Sequence, residues 1–218
     1  MKILAFDTSL NKTYVTLSED EKILSSKTIE NKNEKYHSAF LVSTIVEVLK
    51  EHRLQIKDID AFGVNVGPGS FTGIRACITV ARVFAQQVEK PLIGVCSLEI
   101  LSKLNKSDKN TIVLLDARRG QVYYGMYKDR KEISAPKLIK IEEIDSLPLD
   151  GSVVICDSSI ISNFKGLLSA ECIDYTSLNE DLGVYLSEIV NSKIKSDEDY
   201  FWANTKPLYL QTPPVHYK

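Results

Sequence analysis

Residues 2–7 form a β-rich apolar run, and apolar and polar positions alternate along 13–18 and 22–29, with polar breaks at 9–12 and 19–21 between the runs. Alternation with a period of two, broken by turn residues, predicts a three-stranded meander. The period then lengthens. Residues 36–52 carry Leu41, Val42, Ile45, Val46, Val48 and Leu49 at helical spacing, which predicts one helix with a continuous core face. Residues 61–66 form an apolar run that reads as a buried strand, and residues 72–89 return to helical spacing. A short strand at 91–95 and a short helix at 97–104 complete the order β-β-β-α-β-α-β-α.

The polar stretch 105–110 is the expected domain boundary, dividing the chain into residues 1–104 and 105–218. Beyond it the pattern restarts. Residues 111–116 predict a strand ending in Asp116, as the first strand ends in Asp7, and further strands are expected at 121–128, 137–141 and 152–156. Helices are expected at 158–164 and 181–195, the second of them closing this half. Two halves that each begin strand, aspartate, turn, strand predict a duplicated α/β lobe.

Composition narrows the class. With 218 residues, 44% hydrophobic and 26% charged, the chain can bury a sizeable core as a globular protein. A net charge of -2 provides no overall basic field for nucleic acid. The apolar start breaks off too early for a signal peptide, and no apolar run approaches the roughly 20 residues of a membrane span. The four scattered cysteines, Cys77, Cys96, Cys156 and Cys172, read as free thiols in a reducing cytoplasm. His37, His52 and His216 lie far apart in sequence, so no zinc site is expected.

Candidate chemistry centres on Gly67-Pro68-Gly69-Ser70-Phe71-Thr72-Gly73-Ile74-Arg75, between a strand and a helix. Its glycines allow positive φ and close approach of another group, and Ser70 or Thr72 can cap the helix. The stretch reads either as a structural turn or as an anion site at a helix start. It lacks the Gly-Lys-Ser/Thr of a Walker loop and the spacing of a dinucleotide fingerprint. Asp7 is open to two readings in the same way, a turn residue held by backbone N–H groups or a metal ligand.

The two long helices raise the question of partners. On the second, Arg75, Thr79, Arg82 and Gln86 form a narrow polar stripe beside an apolar arc of roughly 200°, twice what a one-sided surface helix needs. Either the helix is sandwiched within its own lobe, or another subunit covers one flank. On the first, Phe40 falls opposite the core face, among Tyr36, Ser43, Thr44, Glu47 and Glu51. An aromatic ringed by polar groups is an interface anchor or a solitary exposed ring.

Several segments together resemble the TsaB (YeaZ) family. They are residues 3–9 (Ile-Leu-Ala-Phe-Asp-Thr-Ser), His37-Ser38, the glycine turn, residues 94–99 (Gly-Val-Cys-Ser-Leu-Glu), residues 116–123 (Asp-Ala-Arg-Arg-Gly-Gln-Val-Tyr) and Pro207-Leu208-Tyr209-Leu210. They occur in family order, densely to about residue 128 and thinly from there to 200. The resemblance implies two actin-like (ASKHA, ribonuclease H-like) lobes, each a mixed sheet flanked by helices. It also implies a non-catalytic subunit for threonylcarbamoylation of adenosine 37 in tRNA, acting as a scaffold for the catalytic relative TsaD and, through it, TsaE. A homodimer in isolation, indirect contact with tRNA, and a face built from Tyr36, Phe40, Ser43, Glu47, Arg75, Ala76, Thr79, Arg82 and Val83 follow from the same likeness.

Departures from the catalytic relatives point the same way. Their helix-borne histidine pair corresponds to Ser97 and Leu101 here, and Leu101 cannot hold a metal. Glu99 remains without ligand neighbours in sequence. Asp7, Thr8, Ser9, Gly69 and Asp116 are the candidates for a remnant nucleotide site. However, residues 154–159 lack the glycines that many relatives carry on the adenine side. The expectation is therefore no catalytic residue, no metal and no cofactor bound by this chain alone, with ATP or ADP held only in complex with TsaD and TsaE. Arg118 and Arg119 read as turn charges or as contacts to tRNA or to partner acids. Gln211 stands where relatives often carry arginine. The rival readings are a glycoprotease-like metallopeptidase and an actin-like kinase using Asp7 and Asp116.

Overall fold

The computed structural model describes residues 1–30, 37–163, 170–196 and 198–211. The expected meander is present as β1 (Lys2–Asp7), β2 (Lys12–Glu19) and β3 (Lys22–Glu30), and β4 (Ala61–Gly67) and β5 (Leu92–Cys96) join it in the order β3-β2-β1-β4-β5. The meander is antiparallel, whereas β4 pairs parallel to β1 and β5 parallel to β4. The second half repeats this plan. Strands β6 (Asn110–Arg118), β7 (Gln121–Lys128) and β8 (Lys131–Lys140) form the meander, and β9 (Ser152–Cys156) and β10 (Glu171–Asp174) add in parallel, in the order β10-β9-β6-β7-β8. The duplication read from the sequence is thus a duplication of topology, and β10 is a strand the pattern did not announce.

In the first unit, Leu4, Phe6, Val15, Leu17, Phe62 and Val64 point to one face of the sheet. Helix α1 (Leu41–Glu51), entered through a 3-10 turn at His37–Phe40, and α2 (Phe71–Val88) cover that face with Leu41, Ile45, Val48, Ile74, Cys77, Ile78 and Ala81. Burial of each large aliphatic side chain there contributes about 1.5–3 kcal/mol. The core face of α1 is narrower than expected. Val42 and Val46 are exposed, whereas Thr44 is buried and donates its Oγ1 hydrogen to the Phe40 carbonyl over 2.8 Å. The buried arc is centred on Leu41, Ile45 and Val48, so residues on the Val42 side turn outward. The start of the expected helix, including Tyr36, lies outside the described residues, as do Phe164, the last residue of the expected helix 158–164, and His216.

The short α3 (Ser97–Ser102) follows β5, and α4 (Ser158–Asn163) follows β9. Helix α5 (Leu182–Lys193) corrects the expected division of the chain. It does not close the second half but packs on the other face of the first sheet, against β1, β2 and β4. Polar matching seats it there: Ser187 Oγ donates to Ser18 Oγ over 2.8 Å, and both are fully buried. The compact units are therefore residues 1–100 with 180–207, and residues 101–179 with 208–218, rather than 1–104 and 105–218. In the second unit, Ile112, Leu114, Val122, Tyr124, Ile139, Val154 and Cys156 form a core with Ile144, Leu149 and Ile160.

Candidate functional site

The glycine turn launches α2, but its open space is taken by the chain itself. A Cβ at Gly69 would stand 2.6 Å from the Ser9 carbonyl oxygen, and one at Gly73 would overlap the Thr8 carbonyl oxygen. Ser70 N donates to Ser9 O over 2.8 Å, and Thr8 Oγ1 donates to Gly73 O over 2.8 Å. Ser70 is also the N-cap, accepting from Gly73 N over 3.3 Å. Carbonyl oxygens fill the hollow that missing Cβ atoms provide, and they repel a phosphate.

Asp7 is 2% exposed at the end of β1. Its Oδ1 accepts from both Ser9 N and Ser9 Oγ over 2.7 Å. Beside it on β4, Asn65 Oδ1 accepts from Gly67 N and from Ser97 Oγ, each over 2.8 Å. Asp7 Oδ2 and Asn65 Nδ2 are buried and have no hydrogen-bond partner within the geometric limits among the described residues. Burial pushes the Asp7 carboxyl above the usual carboxylate range, outweighing the Ser9, Asn65 and Leu10 groups that favour its charged form. The nearby Asp7 charge and, more strongly, burial drive the Cys77 thiol well up, so it is no nucleophile.

Asp116 repeats the Asp7 arrangement in the second unit. Its Oδ1 accepts from Arg118 N over 2.7 Å, and its Oδ2 lies 3.4 Å from Arg118 Nη1. Just past β9, Asp157 accepts from Ser159 N over 3.0 Å, and at the last position of β10, Asp174 accepts from Thr176 N over 2.9 Å. The acids at these strand ends turn back onto the amide two residues ahead. Asp7, Thr8, Ser9 and Gly69 come together in the first unit, while Asp116 belongs to the second. Arg118 and Arg119 lie in an exposed turn with Gly120, all three at positive φ.

The positions of the histidine pair are committed to packing. Ser97 and Leu101 are both fully buried, and Glu99 lies 3.1 Å from Lys193 of α5. Among the described residues no group of three or more His, Cys, Asp and Glu side chains is placed to hold a metal ion. Among the same residues no helix is long and apolar enough to cross a membrane.

The helical layer of the first unit presents a different surface. Phe40, Ser43, Glu47, Arg75, Thr79 and Val83 are exposed on it, and Ala76 and Arg82 are half-buried. Phe40 is 49% and Val83 57% exposed; a lone exposed apolar side chain is ordinary, and a group of them on one layer marks a contact surface. Sequence reasoning missed Val42, Val46 and Phe71, exposed by 48%, 42% and 47%. Leu41, Val42, Ile45, Val46, Val48 and Leu49 spread over more of α1 than the roughly 100° that one-sided burial needs. Two expected residues are already engaged. Arg82 sits 5.8 Å over the ring of Trp202, and Glu47 joins Glu51 in pairing with Lys27 of β3. On α2 the exposed row is therefore Phe71, Arg75, Thr79 and Val83, with the Arg75 guanidinium 5.0 Å over the Phe71 ring.

Two sheets of the ribonuclease H-like order, each a meander extended by parallel strands, place the chain in the actin-like class. Comparison with known proteins narrows this. Residues 22–201 match the family model described as TsaD, tRNA N6-adenosine threonylcarbamoyltransferase. The tRNA threonylcarbamoyladenosine biosynthesis protein TsaB of Buchnera aphidicola from Schizaphis graminum is 30% identical over 66% of this chain and 70% of its own length. The TsaB of Bacillus subtilis is 37% identical over 59% of this chain and 56% of its own length. A Pseudomonas aeruginosa protein described as similar to peptidase YEAZ has the same fold, with a TM-score of 0.80 and 22% identity over 96% of this chain and 99% of its own. The chain belongs to the family of that model, in its TsaB (YeaZ) group.

Proposed function

We propose that this chain serves the biosynthesis of threonylcarbamoyladenosine in tRNA as a non-catalytic subunit that docks on TsaD, and through it on TsaE. The observation that carries the reading is the helical layer of the first unit, where Phe40, Val42, Val46, Phe71 and Val83 stand exposed around polar residues. Large apolar side chains within a polar rim suit a protein partner. The other half of the reading rests on the inward-turned acids. Asp7 and Asp116 hold backbone amides, and the glycine turn is filled by carbonyl oxygens. These features favour a chain that holds no nucleotide alone, with ATP or ADP bound only in the complex. The same layer serves a homodimer when TsaD is absent, tRNA is reached through the partner, and the setting is the cytoplasm.

The test is co-elution of the purified chain with its cognate TsaD in size-exclusion chromatography with light scattering. Val83→Glu and Phe40→Glu abolish the complex while the circular dichroism spectrum and melting temperature stay close to wild type. Unshifted elution of the wild-type mixture refutes the docking, and loss of folding in both variants would make these residues core.

A further inference from the structure

An unbroken series of hydrogen bonds joins the buried Asp7 to the first turn of α2, the end of that helix that carries Phe71 and Arg75. Asp7 Oδ1 fixes Ser9 through N and Oγ at 2.7 Å each, and Ser9 O accepts from Ser70 N over 2.8 Å. Ser70 then caps Gly73 N with its side chain, and its carbonyl accepts from Ile74 N over 2.8 Å. From the neighbouring residue, Thr8 Oγ1 reaches the Gly73 carbonyl over 2.8 Å. Gly69 and Gly73 leave no slack, because the Ser9 and Thr8 carbonyls fill their missing Cβ positions. Asp7 itself is 2% exposed and cannot touch a partner.

We infer that Asp7 is a positioning residue for partner docking, fixing through Ser9 and Thr8 the place at which α2 presents Phe71 and Arg75. This rests on the docking face proposed above. What matters is an acceptor oxygen at Oδ1, not a negative charge for a metal or phosphate. Asparagine supplies that oxygen and alanine does not. The two substitutions therefore separate positioning from ligation.

The experiment measures the affinity of the full chain for its cognate TsaD by biolayer interferometry, for wild type, Val83→Glu, Asp7→Ala, Asp7→Asn and Thr8→Val. Amide hydrogen exchange across α2 accompanies it. Asp7→Ala is expected to weaken binding about tenfold or more, the effect of losing the two buried hydrogen bonds to Oδ1. It also speeds exchange at residues 71–75 while residues 80–88 stay protected. Asp7→Asn restores both to near wild type, and Thr8→Val weakens binding by about threefold, for one neutral bond. If Asp7→Ala does not fold, Thr8→Val carries the test by the same two readouts. Unchanged binding in Asp7→Ala, or in Thr8→Val when Asp7→Ala does not fold, overturns the inference, as does equal weakening in Asp7→Ala and Asp7→Asn. Full binding by Val83→Glu instead overturns the docking face itself.

Discussion

Gly73→Ala tests the packing of the glycine turn most directly, because local propensity and tertiary contact predict opposite signs. Within a helix, alanine in place of glycine stabilises by about 1 kcal/mol. Here the new Cβ would overlap the Thr8 carbonyl oxygen and stand 2.8 Å from the Thr8 carbonyl carbon and 3.0 Å from Ser9 Cα. All three are backbone atoms, so no side-chain rotation relieves them. Overpacking of this kind costs about 1–3 kcal/mol, with backbone displacement at the upper end. Moving the Thr8–Ser9 turn also strains the Thr8–Gly73 and Ser70–Ser9 hydrogen bonds, together worth about 1–2 kcal/mol. Against the propensity gain, the net loss is about 3 kcal/mol. At about 2–4 °C per kcal/mol for a chain of this size, the melting temperature falls by about 6–12 °C. Thermal unfolding followed by circular dichroism reads it. A melting temperature equal to or above wild type would refute the reasoning, since the glycine would then not be needed to admit the neighbouring backbone.

Three further outcomes follow from the same contacts. The Asp7 carboxyl is raised in the folded state, so its contribution to stability is fully present below its unfolded value and is lost as pH rises through the raised one. The stability of wild type relative to Asp7→Asn should accordingly fall as pH rises above the ordinary aspartate value of about 4 in chemical denaturation series, and a flat or rising difference would contradict this. Reinstating the histidine pair as Ser97→His with Leu101→His should destabilise by about 3 kcal/mol or more, because both sites are fully buried and Ser97 holds Asn65; a stable variant that gains zinc would show the site to be merely mutated, not repacked. Arg82→Ala removes the guanidinium over Trp202, the chain's single tryptophan. Its emission should change while stability drops by no more than about 1 kcal/mol, and unchanged emission would mean the pair does not form in solution.

Much of the fold was legible because local signals and tertiary structure agree. Strand β1 is a β-rich apolar run and the two strands after it alternate, and the turn after β1 announces itself as Asp7-Thr8-Ser9, an acid followed two residues later by a serine that it binds. The restart of the pattern was visible in Asp116, which closes its strand region as Asp7 does and accepts from the amide two residues ahead. What was not legible depends on pairs distant in sequence. Ser187 and Ser18 meet across 169 positions, and nothing local in α5 says which sheet it covers. Strand β10 has four residues, Glu171–Asp174, of mixed polarity, and it exists because β9 offers a parallel edge. The outward turn of Val42 and Val46 depends on how α1 sits over β2 and β3, which the apolar count of the helix does not set. At the candidate site, the sequence held the glycines and the aspartate but not what occupies the space between them. Only the approach of the Thr8 and Ser9 carbonyls distinguishes a filled turn from an open cradle.

The return of α5 to the first sheet bears on how the chain emerges during synthesis. The first unit draws on residues 1–100 and again on 180–207, with the second unit's residues 101–179 made in between. Until α5 has left the ribosome, the face of the first sheet that carries Thr16 and Ser18 has no cover, although its five strands have long been made. The inserted unit, whose sheet spans Asn110–Asp174, has all its strands available before that helix appears. The sheet synthesised first is therefore the one whose helical cover arrives last. A ribosome stalled between residues 110 and 180 carries a half-covered sheet, and this is the stage at which a chaperone has the most apolar surface to shield.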